Sequence, residues 1–285
     1  MTPAQKSAAG AVKLLITDVD GTLVNNDKVL TPASIDAAKA LKAAGIALAV
    51  TSSRPPRGCR MLVEPLQLTL PISGFNGGAW GEPPDLKIIE SHPVDPAAAE
   101  KAIAFLHEQK LDIWVYTEDE WFVRDPKGAH VEREAFILQL PPRVVQDFTP
   151  EQTRHAFKVV GICDDAARLA QVAKGAQALL GDTASASRSS GHFLDVTHPK
   201  ANKGWVVEDL ARRLNLKTAQ IATIGDGDND TLMFAKAGLS IAMGNADDDV
   251  KAKADFVTDS NQDDGWAKAV RQYLLPVAAK TGEPA

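Results

Sequence analysis

Four short apolar runs constrain this chain most: residues 12–17 (VKLLIT), 46–50 (IALAV), 221–224 (IATI) and 239–242 (LSIA). Each is continuous, not alternating, as a strand covered on both faces must be. Between the first two, Thr31-Pro32 supplies a capping hydroxyl followed by proline at the first helical position. That helix carries Ile35, Ala38 and Leu41 on one face and stops near Gly45. Strand, helix and strand at this spacing predict a parallel sheet with right-handed crossovers.

The expected fold class is therefore α/β, a Rossmann-like parallel-sheet core. The texture changes at "EPPD". Residues 95–109 read as a helix, and "DIWVYTEDEWFVRD" reads as strand, polar turn and strand. "FKVVGIC" is a further strand, "RLAQVAKGAQALL" a helix and "HFLDVTH" a closing strand. The expected organisation is a discontinuous core of residues 1–82 and 193–285, with an α+β insert over 83–192. The tail "PVAAKTGEPA" is expected to fray.

Composition excludes several functions. A net charge of −6 argues against a nucleic-acid partner, and no run nears the roughly 20 apolar residues that span a bilayer. The first fifteen residues lack the apolar centre of a secretory signal. Two cysteines far apart, Cys59 and Cys163, make no CxxC, so free thiols in a cytoplasmic protein are expected. Oligomeric state is not legible in the sequence.

Chemistry collects where the apolar runs end. Asp18 and Asp20 follow the first, and Ser52, Ser53 and Arg54 the second. Asn76 and Gly77 follow an expected third core strand at Ile72, and Asp226, Asp228, Asn229 and Asp230 a later one. Ligands of open α/β sheets bind at that edge, so these residues should meet. Crowded carboxylates repel, and an oxygen-only donor set without His or Cys favours Mg²⁺, which also accepts phosphate oxygens. Ser52, backbone amides near Ser53 and Lys203 are candidate phosphate partners. Rival motifs fail: an EF-hand reading from Asp226 has Thr231 where glycine belongs and Ala237 where glutamate belongs. No GxxxxGK[ST] phosphate loop is present.

"DVDGTLV", "TSSRP", "ANKG" and "GDGDNDTLMF" resemble, in order and spacing, the four motifs of the haloacid dehalogenase-like superfamily of Mg²⁺-dependent phosphatases. "FNGGA" and "AMGNA" are similar to its Cof-type subfamily, which carries a large α/β cap between the second and third motifs. The resemblance implies hydrolysis of small phosphorylated metabolites, such as sugar phosphates or phosphorylated cofactors, through an aspartyl-phosphate. A phosphomutase or phosphotransferase, or a phosphate-binding sensor without turnover, are the alternatives. It implies Asp18 as nucleophile, Asp20 as general acid/base, and Lys203 as the neutralising cation. Ser52, Ser53, Arg54, Asn76, Gly77 and Asn229 are expected to bind phosphate or substrate. Asp18, Asp20 (through its backbone carbonyl), Asp226 and Asp230 are expected around the metal. The family usually has Thr-Gly-Arg where this chain has Ser52-Ser53-Arg54.

Other polar residues read as structural. Asp228 is expected to be a solvated loop acid, and Asp247–Asp249 a helix start. Trp114, Tyr116, Trp121 and Phe122 read as packing, and Arg124, Arg188 and His192 as surface residues. Arg54 is open between substrate contact and structural pairing.

Overall fold

The computed structural model describes residues 12–275, apart from 119 and 139. The tail from Pro276, expected to fray, lies outside the described residues.

The core is a five-stranded, all-parallel sheet. Its strands are β1 (Leu14–Thr17), β2 (Ala47–Val50), β12 (Ile221–Gly225), β13 (Leu239–Ala242) and β14 (Phe256–Val257), in the order β14-β13-β12-β1-β2. The period of two divides its side chains between two cores. Leu15, Val50, Ile224 and Ile241 pack under helix α1 (Pro32–Ala43) and Trp266 and Val270 near the C-terminus. Leu14, Ile16, Ala49 and Ala242 pack under helix α5 (Lys203–Arg213), through Val206, Val207 and Leu210. Burial on both faces is the reason these runs are continuous in sequence. Helix α1 starts as expected, with the Thr31 side chain accepting a hydrogen bond from the Ser34 N–H.

The remaining strands are β3 (Ile72–Gly74), β4 (Ala79–Glu82), β5 (Lys87–Ser91), β6 (Asp112–Tyr116), β7 (Trp121–Val123), β8 (Arg143–Val144), β9 (Lys158–Ile162), β10 (Ser185–Arg188) and β11 (Phe193–Thr197). The insert sheet runs β10-β11-β9-β6-β7-β8 and is antiparallel except between β7 and β8. One face, with Ile113, Val115, Val159 and Leu194, lies under helices α2 (Pro96–Glu108) and α4 (Ala166–Leu180). The opposite face carries Trp114, Tyr116, Trp121 and Val160, and packs on α3 (Val131–Leu138) and on Phe75 and Ala79 of the core. The expected packing role of these aromatics is what the structure has. The ring of Phe75 stacks 5.1 Å from that of Phe157, at 13°.

Three expectations need correction. The strand at Ile72 touches the parallel sheet through a single bridge, Thr51 to Ser73, and belongs instead to a small antiparallel sheet, β3-β4-β5. The expected junction at 82/83 falls inside the β4–β5 hairpin, where Glu82 pairs with Lys87. The junction at 192/193 assigns β11 to the core, whereas β11 pairs with β9 and its Leu194 and Val196 fill the insert's own core. Strand pairing puts the breaks after Ser91 and after Thr197.

Candidate active site

The ends of β1 and β12 make one corner. Asp18 continues the ladder, its N–H donating to the Ile224 carbonyl at 3.0 Å. Lys203 opens α5, whose first turn is capped by the Asn202 side chain accepting from the Trp205 N–H. A lysine there faces the positive end of the helix dipole. Two carboxylates offset that: Lys203 Nζ lies 2.5 Å from Asp18 Oδ1 and 2.6 Å from Asp230 Oδ1, with all three side chains buried. The other oxygen of Asp230 accepts from the Asp226 and Gly227 N–H groups at 3.0 and 2.9 Å. Both oxygens of Asp230 are thus engaged. Asp226 Oδ1 accepts from the Thr22 hydroxyl at 2.8 Å. Gly21 sits at φ +77°, and a Cβ there would lie 2.2 Å from Asp226 Oδ2, so only glycine lets the first loop approach this acid.

The corner holds more negative charge than it neutralises. Asp18, Asp226 and Asp230 each bring one carboxylate oxygen within 4.8 Å of the others, with one lysine among them. Burial raises the Asp18 carboxyl well above the usual carboxylate range; Lys203 pulls it down, and Asp230 and Asp226 push it up. Burial, then Asp230, raises Asp226 to about 7, against the Thr22 hydrogen bond and the Lys203 charge. Burial alone would discharge Lys203, but Asp18 and Asp230 outweigh it and hold its pKa above the usual lysine value. Surplus charge among oxygen-only donors fits a hard divalent cation of the Mg²⁺ kind. Asp18 and Asp226 have free carboxylate valence for it, and Asp230 supports Lys203 and the loop.

The Asp20 carboxylate is held elsewhere, outside that cluster; its expected metal contact is the backbone carbonyl. Arg54 clamps it with Nε and Nη2, each at 2.6 Å, and Lys28 Nζ adds a contact at 2.7 Å. Burial acts to raise Asp20, but the Arg54 hydrogen bonds and charge, with Lys28, bring it down to about 2. Arg54 is itself buried, and its Nη1 donates to the carbonyls of Gly58 and Ile137 at 3.0 and 3.4 Å. Arg54 thus pairs with Asp20, and it also lines the cavity between core and insert.

The second strand's loop is folded back on the small sheet. Ser52 Oγ accepts from the Arg54 N–H at 3.1 Å, and the Ser52 carbonyl accepts from the Asn76 N–H at 2.8 Å. Phe75, Asn76 and Gly77 all have positive φ, at 51°, 57° and 109°. This turn brings Asn76 Oδ1 to Asn229 Nδ2 at 3.1 Å, joining two expected site residues across the molecule. Gly77 instead packs on α5, where a Cβ would meet Val206 at 3.0 Å.

Two cavities open between core and insert. The first, about 310 Å³, has Asp20, Lys28, Ser53 and Arg54 on its core side. On its insert side are His130, Arg133, Glu134, Lys158, Ser190 and His192. The second, about 270 Å³, is lined by Asp226, Asp228, Asn245 and Arg188 among others. Asp18 is buried between these openings and lines neither; nor do Ser52, Asn76, Gly77 and Asn229. Sequence reasoning missed Lys28, Glu134 and Lys158. Lys158 had one signal, a charge opening a strand otherwise buried. Its Nζ lies 3.4 Å from Asp195 Oδ2, 3.3 Å from the Ser53 carbonyl and 4.7 Å above the Tyr116 ring. The Tyr116 hydroxyl donates to Glu134 Oε1 at 2.9 Å. Asp228, expected to be solvated, pairs with Arg188 of the insert at 2.9 Å. Arg124 lies away from these cavities, 5.9 Å from the Phe148 ring.

Known proteins share this chain's sequence pattern and fold. A profile described as haloacid dehalogenase-like hydrolase matches residues 15–270. The chain is 27% identical over 282 residues to the pyridoxal phosphate phosphatase YbhA of Escherichia coli, covering 92% of this chain and 99% of that one. It is 27% identical over 271 residues to the 5-amino-6-(5-phospho-D-ribitylamino)uracil phosphatase YcsE of Bacillus subtilis, covering 93% and 96%. A solved phosphatase of the haloalkanoate superfamily from Bacteroides thetaiotaomicron superposes with a TM-score of 0.77 at 27% identity, covering 93% and 96%. No helix among the described residues is long and apolar enough to cross a membrane.

Proposed function

The chain belongs to the haloacid dehalogenase-like hydrolases, as a phosphatase of the Cof type, and on that premise we propose that it hydrolyses small phosphorylated metabolites through a phosphoryl group carried on Asp18. The observation that carries this reading is the Lys203-bridged corner, with Asp18 and Asp230 on either side of one buried ammonium and Asp226 beside them.

Asp18 Oδ attacks phosphorus, and the bond from phosphorus to the substrate oxygen breaks. Asp20 gives its proton to the leaving alkoxide. Asp20 then takes a proton from water, whose oxygen attacks the same phosphorus; phosphate leaves and the Asp18 carboxylate is restored. Clamped by Arg54 and Lys28, Asp20 is ionised; it acts as an acid once its carboxylate leaves that fork and takes up a proton from solvent. Lys203 works against the burial that raises Asp18 and offsets charge on the transferring group. Mg²⁺ would be held by Asp18, Asp226 and the Asp20 backbone carbonyl, and would supply charge neutralisation and phosphate orientation. Ser52, Asn76 and Asn229 are assigned to the phosphate side of the site, and Ser53 to the cavity wall.

A cavity of about 310 Å³ with Lys28, Arg133 and Lys158 in its lining suits a small, polar, anionic metabolite. The substrates in the names of the two relatives, pyridoxal phosphate and a phosphorylated ribitylaminouracil, belong to that class. The free thiols Cys59 and Cys163 suit a cytoplasmic setting. The test is phosphate release from a panel of phosphorylated metabolites and p-nitrophenyl phosphate, with Mg²⁺ and with EDTA. Turnover that needs Mg²⁺ and Asp18 supports the reading. Robust turnover by Asp18→Asn overturns the nucleophile assignment.

A further inference from the structure

On the insert side of the larger cavity, three side chains from separate segments converge on one point. His130 precedes α3, Asp164 lies between β9 and α4, and His192 is in the β10–β11 loop. Asp164 Oδ1 is 2.6 Å from His130 Nε2 and 3.2 Å from His192 Nδ1. The imidazole rings stack at 4.6 Å and 29°, and the edge of Phe193 packs against His130 at 5.5 Å. The Cys163 N–H donates to the His192 carbonyl at 3.0 Å, tying the His192 loop to the chain just before Asp164. Both histidines line the cavity that Asp20 lines from the core.

We propose that His130, Asp164 and His192 form a second metal site, for a borderline divalent cation of the zinc and cobalt class, distinct from the carboxylate corner of the core. Two imidazole nitrogens and one carboxylate oxygen suit such ions and not Mg²⁺, whereas the oxygen-only corner has the reverse preference. The donor atoms all lie within 4.8 Å of one another. Tetrahedral coordination at bonds of about 2.0–2.1 Å sets donors about 3.4 Å apart. The His192–Asp164 spacing of 3.2 Å is already close to this, and His130 at 2.6 Å has to withdraw by less than about 1 Å. His130 and His192 stand outside helix and strand, which permits that movement. Three protein ligands leave at least one position on the ion, as in metal sites that admit water or substrate oxygen. The ion would form part of the cavity wall and hold three insert segments together there.

The test reads binding, so it is independent of turnover and of the substrate assignment. The whole protein, in excess Mg²⁺ to fill the oxygen-donor corner, is titrated with Co²⁺ followed by visible absorption, and with Zn²⁺ by calorimetry. The expected result is one equivalent of each bound, with Co²⁺ bands of low-coordinate geometry. His192→Ala, His130→Ala and Asp164→Asn should each weaken binding by more than about tenfold, and Cys163→Ser should leave it unchanged. The side chains of His192 and Asp164 are 49% and 67% exposed, so these two variants keep the fold, which thermal melts in Mg²⁺ check. Binding that is absent, unchanged in the three ligand variants, or lost with Cys163→Ser overturns the proposal.

Discussion

The corner built by the parallel sheet and the wall built by the insert face the same interior, yet they hold their charges differently. In the corner, Asp18, Lys203 and Asp230 are buried, and strand ends and a helix start fix them. On the wall, Lys158 is buried on β9, but Glu134 is half-buried and His130 and His192 stand on loops. Strand ends buried on both faces allow little adjustment, which suits groups that touch the phosphoryl group whatever the substrate. Loops adjust, which suits the part of a substrate that differs from one relative to another. The comparison thus separates chemistry on the core side from selection on the insert side.

The harshest test of that separation is Asp18→Asn. It removes the proposed nucleophile, and kcat should fall on the order of 10⁴-fold or more on every substrate while the fold survives. A loss confined to some substrates would move Asp18 to the selecting side. Next is Asp20→Asn, with an expected loss of about 10²- to 10⁴-fold on alkyl phosphates. The loss in kcat/KM, which reports the phosphoryl transfer to the enzyme and not the later hydrolysis, should be smaller for p-nitrophenyl phosphate, whose leaving group needs no proton. Equal losses on both would show that Asp20 does not serve as the acid.

Much of the corner was legible because its residues stand where apolar runs stop. Asp18, Asp226 and Asp230 follow from that pattern, Lys203 from the resemblance of "ANKG", and the structure brings them together. The orientation of Asp20 was not legible, since it depends on Arg54 and Lys28, and Lys28 reaches Asp20 only through the turn at Asn25–Lys28. The wall was barely legible. Glu134, Lys158 and His192 meet only when β11 pairs with β9 and α3 lies over the inner face, and no local pattern encodes those partners. Strand pairing, local in the β4–β5 hairpin and non-local between β11 and β9, moved both domain junctions, because a strand's sheet is decided by its neighbour and not by its own residues.

Electrostatics sharpens the contrast further. Asp226, raised to about 7 by burial and then by Asp230, binds more protons folded than unfolded, where its value is about 3.9. Metal-free stability is therefore predicted to fall as pH rises from about 5 to about 8, on the order of 2–4 kcal/mol. Saturating Mg²⁺ should flatten that slope by favouring the ionised carboxylate. Denaturant melts across this range decide it; a flat metal-free profile would remove the excess charge from the account. The smallest expected effect belongs to the wall. Lys158→Met keeps the side chain's bulk over Tyr116 and removes its charge. It should raise KM by about tenfold on anionic substrates and change kcat by only a fewfold, and a kcat collapse with unchanged KM would place Lys158 with the chemistry.

The central claim is that the phosphoryl group rests on Asp18, and trapping it is the most direct measurement. The Asp20→Asn protein, mixed with p-nitrophenyl phosphate and Mg²⁺ and quenched in acid, should form the intermediate without acid assistance and hydrolyse it slowly. Mass spectrometry should then find one phosphoryl group on the peptide bearing Asp18, labile to hydroxylamine and absent when Asp18→Asn is added. Release of p-nitrophenol with no protein-bound phosphoryl group in a burst-phase quench, or an adduct that persists in the double variant, would contradict the account.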